Sequence, residues 1–240
     1  MTDKRIPETA RHLFVAANGK TKAAGGDVVL NFMGSPRREL ALIGDEYFEA
    51  AKVLIGSLAQ KGSYSDLKAY PIVFLYRHAL ELYFKALLDM GNNLAGLLRD
   101  ERLKIDVLKE SHRLTPLLDK TEHLFSAVGW SDYGFSGPSG KRLRNIVSEF
   151  DAVDRNSHAY RYPLKTDGTA SVEEHFAFSL LRMSRILDPV LEMLSGACTA
   201  LEELHAQLAE AADLTQQVFD ENRSNDYYDD CWSDYYDAEP

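Results

Sequence analysis

The sequence predicts an all-α protein: a helical bundle with an irregular N-terminal arm and an acidic, aromatic C-terminal tail. Three observations predict it. From Arg37 onward, apolar residues recur at the helical period over long stretches. One of these, residues 67–91, is apolar on nearly every face and therefore belongs at the centre of a bundle. Segments bearing Gly and Pro fall between the stretches and mark loops. At 240 residues, 45% of them apolar, the chain is long enough for one sizeable core, and wholesale disorder is excluded.

Taken in order, residues 1–36 form the arm. A short helical candidate spans Glu8 to Ala17, and a brief extended piece spans Val28 to Phe32. The run Asn18-Gly19-Lys20-Thr21 invites a phosphate-loop reading, but Phe14 stands where that loop needs its first glycine. A surface loop is the better reading. The bundle occupies 37–215. Its first helix covers RRELALIGDEYFEAAKVLIGSLAQ and its second LKAYPIVFLYRHALELYFKALLDMG. A shorter polar helix is expected from Asn93 to Glu110. Ser111 then caps SHRLTPLLDKTEHLFSAVG through its side-chain oxygen. WSDYGFSGPSG is a loop, Lys141 to Asp154 a helix, and YRYPLKTDGTA an extended loop. Ser171 opens the last long helical stretch, which Pro189 should kink or divide.

The net charge of −10 argues against a broadly basic nucleic-acid binder. Its distribution matters more than its sum. Residues 219–240 hold eight acids against Arg223 alone, so −7 of the charge sits in the tail and the body is left near neutral. The tail, 216–240, adds Tyr227, Tyr228, Trp232, Tyr235 and Tyr236 to its acids. One reading is a disordered solubilising segment. The other is a segment that docks into a basic, aromatic-lined groove, on its own body, a second subunit or a partner protein.

The central helix carries a polar quadrant. Measured from Arg77 at about 100° per residue, Glu81 lies at about 40°, Lys85 at about 80° and His78 at about 100°. Arg77–Glu81 and Glu81–Lys85 are i,i+4 pairs of opposite charge. Either the quadrant is the wet face of the helix, or it lines a cleft where each charge must be paired. A partner set stands in DRNSHAYRYP. Asp151, Asp154, Arg155, His158, Tyr160, Arg161 and Tyr162 crowd a predicted helix end. Arginine forks bind phosphate, and a histidine exchanges a proton near neutral pH. Together they suit attack of a ribose 2′-hydroxyl on its phosphate without metal. The plainer alternative is a polar helix end locked onto the following loop.

The order of four motifs resembles the HEPN family (higher eukaryotes and prokaryotes nucleotide-binding). These are YRHALELYFKALL with Glu81, Lys85, Ala86, Leu87 and Leu88; SHRLTPLL with Ser111, His112, Leu114 and Leu117; Arg161-Tyr162-Pro163; and a long closing helix. The resemblance covers about residues 38 to 195 and implies a bundle of about five to seven helices that pairs as a homodimer. It also implies either of two activities. Many members are metal-independent RNases with Arg and His separated by four to six residues; others lack the pair and serve as binding or assembly modules. Here Arg155 and His158 have only two residues between them. In a helix they would still be neighbours. The short spacing tips the reading to a non-catalytic module binding nucleotide, RNA or a partner protein in a prokaryotic stress or defence system. Under the alternative, a toxin-like endoribonuclease, Arg155 and His158 are catalytic. Under both readings Arg77, His78, Glu81, Lys85, Arg161 and Tyr162 are the ligand- or phosphate-binding candidates.

The seven histidines make no metal-ligand spacing, and no cofactor motif occurs, so neither metal nor cofactor is expected. Two cysteines form no disulfide framework, and no apolar run reaches membrane-spanning length. A cytoplasmic protein that meets no membrane is the expectation.

Overall fold

The computed structural model describes residues 39–62, 66–110, 112–132, 137–155, 157–172 and 177–236. Every described residue lies in one compact unit that begins at Glu39. The expected arm, with its helical and extended candidates, falls outside the described residues.

The described residues are helical, with no strand among them beyond one antiparallel bridge, Leu164 to Ala170. Five α-helices follow in order: α1 (Leu40–Lys61), α2 (Asp66–Leu98), α3 (Leu114–Ala127), α4 (Gly137–Val153) and α5 (Leu180–Tyr236). Two single 3-10 turns, Glu101–Leu103 and Val107–Lys109, join α2 to α3.

α1 buries Gly44, Phe48, Ala51, Ile55 and Leu58, one face at alternating spacings of three and four. It stops at Gly62, whose left-handed φ of 58° suits a residue without a Cβ. α2 is enclosed. Ile72, Val73, Tyr76, Leu87 and Leu88 are buried, and the six consecutive residues from Ala79 to Phe84 are all buried too, so that the helix is covered on every side there. The enclosing elements are α1, α3 and α5. A Cβ on Gly44 would come within 3.2 Å of the Tyr83 ring, so α1 crosses α2 at close range. Polar rivets accompany this packing. Tyr83 donates to Asp45 Oδ1 at 2.5 Å, and Ser195 of α5 donates to the same oxygen at 2.8 Å. Tyr76 donates to Asp188 Oδ1 at 2.6 Å.

Several boundaries differ from expectation. The separate helix at Asn93–Glu110 does not form. α2 continues to Leu98 because Leu94 and Ala95 are fully buried in the same core and extend its apolar face. It ends at Arg99, held at φ 53°, with the Asp100 amide bonding back to the Ala95 carbonyl. α4 starts at Gly137, inside the expected loop, since Pro138 fits a helix's first turn, where no N–H is needed. α5 opens at Leu180 rather than Ser171; Ser179 Oγ accepts from the Arg182 amide at 3.2 Å. Pro189 does not divide it. α5 is one helix through Tyr236, and the tail from 216 on continues it rather than forming an irregular segment. The loop after α4, expected to be extended, folds back on itself, with Lys165 N–H to Thr169 O at 2.8 Å and Gly168 at φ 81°.

Candidate functional site

The polar quadrant of α2 faces inward. Arg77 is wholly buried and Glu81 is 1% exposed, so the wet-face reading is overturned. A buried guanidinium needs every donor placed. Arg77 Nη1 donates to Glu81 Oε2 at 3.0 Å, Nη2 to the His112 carbonyl at 2.6 Å, and Nε to the Asp154 carbonyl at 3.2 Å. Its Nε also lies 3.7 Å from Asp154 Oδ2, which has no hydrogen-bond partner among the described residues. Glu81 receives Lys85 Nζ at 2.9 Å and meets His112 Nδ1 at 2.7 Å. Burial pushes the Glu81 carboxyl up. Lys85, His112 and Arg77 outweigh that and hold it below its ordinary range, so it is an anion at neutral pH.

This network joins α2 to the entry of α3 and the exit of α4. The α3 entry is not capped by its own segment: Arg113 at the cap position makes no side-chain cap bond, and Ser111 lies outside the described residues. Asp151 of α4 caps it instead. Its two oxygens accept the Leu114 and Thr115 amides at 2.9 and 2.8 Å, satisfying donors that a helix start leaves free.

The exit of α4 is a tight turn ordered by Asp154. Its Oδ1 accepts the amides of His158 at 2.6 Å and Ala159 at 2.9 Å. Ser157 sits at φ 59°, a left-handed conformation that costs energy in a residue with a Cβ. Arg161 Nε donates to the Ser157 carbonyl at 2.5 Å. Tyr160 is buried edge-on to Tyr70, and burial pushes its phenol up to about 12. Because α4 stops at Val153, Arg155 and His158 are not helical neighbours. They belong to the turn, and both are exposed. His158 lies 5.6 Å from Tyr162, centroid to centroid, and no described side chain hydrogen-bonds its ring.

His78 parts company with the rest of the quadrant. It stacks on Phe74 at 5.4 Å and meets Tyr47 of α1 edge-on at 4.6 Å. The Arg161 guanidinium lies over the Phe74 ring at 5.8 Å. Burial above all holds the His78 imidazole below its ordinary value, with Arg77, Arg161 and Lys85 adding to the effect and Glu81 opposing it.

Compared with protein-family models, curated proteins and solved structures, the chain matches none. Its chemistry must be read from its own residues.

The structure thus brings together Arg77, Glu81 and Lys85 in the buried network, and His78 with Arg161 around Phe74. Arg155, His158 and Tyr162 lie on the exposed side of the turn. The residues that sequence reasoning did not place in a site are His112, Asp151 and Asp154. His112 stood in the quoted SHRLTPLL motif and the aspartates in the polar cluster, so the signal was present without a geometry. Among the described residues no group of three His, Cys, Asp or Glu side chains is arranged to hold a metal. No helix of the described residues is long and apolar enough to cross a membrane.

Proposed function

We propose that the chain is a non-catalytic, HEPN-like binding module whose ligand face is the turn following α4, and that its ligand is single-stranded RNA or a nucleotide. One observation carries this reading. The buried Arg77–Glu81–His112 network and the Asp154 carboxylate fix the backbone of a turn that exposes Arg155, His158, Arg161 and Tyr162. From Arg155 to Lys165 the sequence holds three cations and no acid, although the whole chain is at −10. Rings beside guanidinium groups accept bases by stacking and phosphates by charge. Catalysis asks more. A general base needs an orienting partner, and the His158 ring has none among the described side chains. By resemblance, the setting is a prokaryotic stress or defence system in the cytoplasm, with two copies paired through the bundle.

The test is purified protein with a labelled single-stranded oligoribonucleotide in EDTA, read by anisotropy and by gel. The expected result is salt-sensitive binding, weakened about tenfold or more in Arg161→Ala and Tyr162→Ala, with the RNA left intact. Cleavage that disappears in His158→Ala would replace this reading with a metal-independent endoribonuclease using Arg155 and His158. Neither binding nor cleavage of RNA or nucleotide would remove both.

A further inference from the structure

α5 outlasts the bundle it belongs to. Leu201 is fully buried, and Leu204 and Leu208 still pack on the core. From Ala211 to Asp220 every residue is exposed, yet the helix continues to Tyr236, roughly 40 Å further at 1.5 Å per residue. A helix with no tertiary cover draws little stability from itself in water, so its apolar positions are informative. Leu214, Val218 and Phe219 are exposed by 56%, 56% and 66%. With Ala211 and Thr215 they share one side of the helix, within an arc of roughly 140°, while Glu210 borders that side next to Leu214 and Asp213 and Asp220 lie behind it. In the sequence a three- and four-residue aromatic spacing starts again nine positions after Phe219, at Tyr228, Trp232 and Tyr235.

We infer that the part of α5 beyond Ala211 is a docking helix for a basic protein partner, one that offers an apolar groove rimmed by Lys or Arg. The charge decides the occupant. Between Ala211 and Tyr236 the sequence carries seven acids and one arginine. A second copy laid along this face would bring two such helices together, like charge against like, at a cost. A basic groove takes both components: the Leu214–Val218–Phe219 side enters the apolar floor, Glu210 at its border meets the rim, and the remaining acids attract the basic partner at longer range. The surface is separate from the turn after α4, so this inference does not depend on RNA binding.

The test uses the full chain and a defined probe: a labelled three-heptad peptide with leucines along its seam and lysines elsewhere. Leu214→Gln/Val218→Gln removes the apolar anchors without adding charge, and circular dichroism checks that both proteins are folded. The expected result is binding that weakens at least about tenfold in the double variant, and similarly for a scrambled peptide of equal composition. Raising salt from about 50 to about 500 mM weakens it as well. Equal affinity for the variant or for the scrambled peptide would reduce the surface to non-specific charge and overturn the inference. So would sedimentation showing that the parent forms an oligomer which the double variant loses, because the face would then belong to another copy of this chain.

Discussion

Replacing Arg77 by methionine tests the buried network most directly. The substitution keeps length and apolar volume but deletes three hydrogen bonds, at 3.0 Å to Glu81, 2.6 Å to the His112 carbonyl and 3.2 Å to the Asp154 carbonyl. Breaking a buried ion pair by removing one partner costs about 3–5 kcal/mol. Glu81 keeps Lys85 at 2.9 Å and His112 at 2.7 Å, so the loss should fall near the lower figure, about 3 kcal/mol. For a chain of this size that corresponds to a fall in Tm of roughly 10 °C. Urea unfolding of Arg77→Met, Glu81→Met and the double variant closes a cycle whose coupling should be about 1–3 kcal/mol. Hydrogen exchange supplies a second readout: the His158 and Ala159 amides should lose protection in Arg77→Met, because the turn they belong to hangs on Asp154. A loss under about 1 kcal/mol, or strict additivity, would refute the claim that this network is a fixed lock.

Acid should destabilise the protein in two steps. The His78 pKa is depressed in the fold, so the unfolded chain binds the extra proton first. The stability is complete above the ordinary 6.5 and drains away as pH falls from there toward the folded value. His78→Gln should flatten that step in stability-against-pH curves. Glu81 is also depressed, and its contribution is lost as pH falls below the ordinary 4.5; Glu81→Gln should remove the second step. Asp151→Ala should cost about 1–2 kcal/mol in urea unfolding by uncapping α3, with Asp151→Asn intermediate. Cys198 is buried, and burial pushes its thiol up to about 12, so mass spectrometry should find its peptide unalkylated at pH 8 in native protein and labelled in urea.

The helices were legible where one face alternates between core and water, as in α1 at Phe48, Ala51 and Ile55. The bundle-centre position of α2 was legible because near-consecutive apolar residues such as Leu80, Leu82, Tyr83 and Phe84 face different sides of the helix. Boundaries were less so. Leu94 and Ala95 carry α2 past Gly91 because they find the core, and a local propensity argument cannot see a core. The orientation of the Arg77–Glu81–Lys85 stripe was also out of reach. The same i,i+4 pairs stabilise a solvated helix and a buried one. What separates the two cases is the third partner, and His112 and Asp154 stand 35 and 77 positions from Arg77. The Asp151 cap was missed for the same reason: it comes from another helix, so no pattern beside Leu114 announces it.

Distance along the chain has a consequence for biosynthesis. Tyr76 waits for Asp188, which stands 112 residues later, and the aliphatic surface of α2 waits with it for α5. A nascent chain emerging from the ribosome therefore keeps the α5-facing side of its greasiest segment uncovered until α5 follows. Fragments that stop before residue 180 should precipitate unless a chaperone shields them, so expression yield should report whether translation reaches the closing helix.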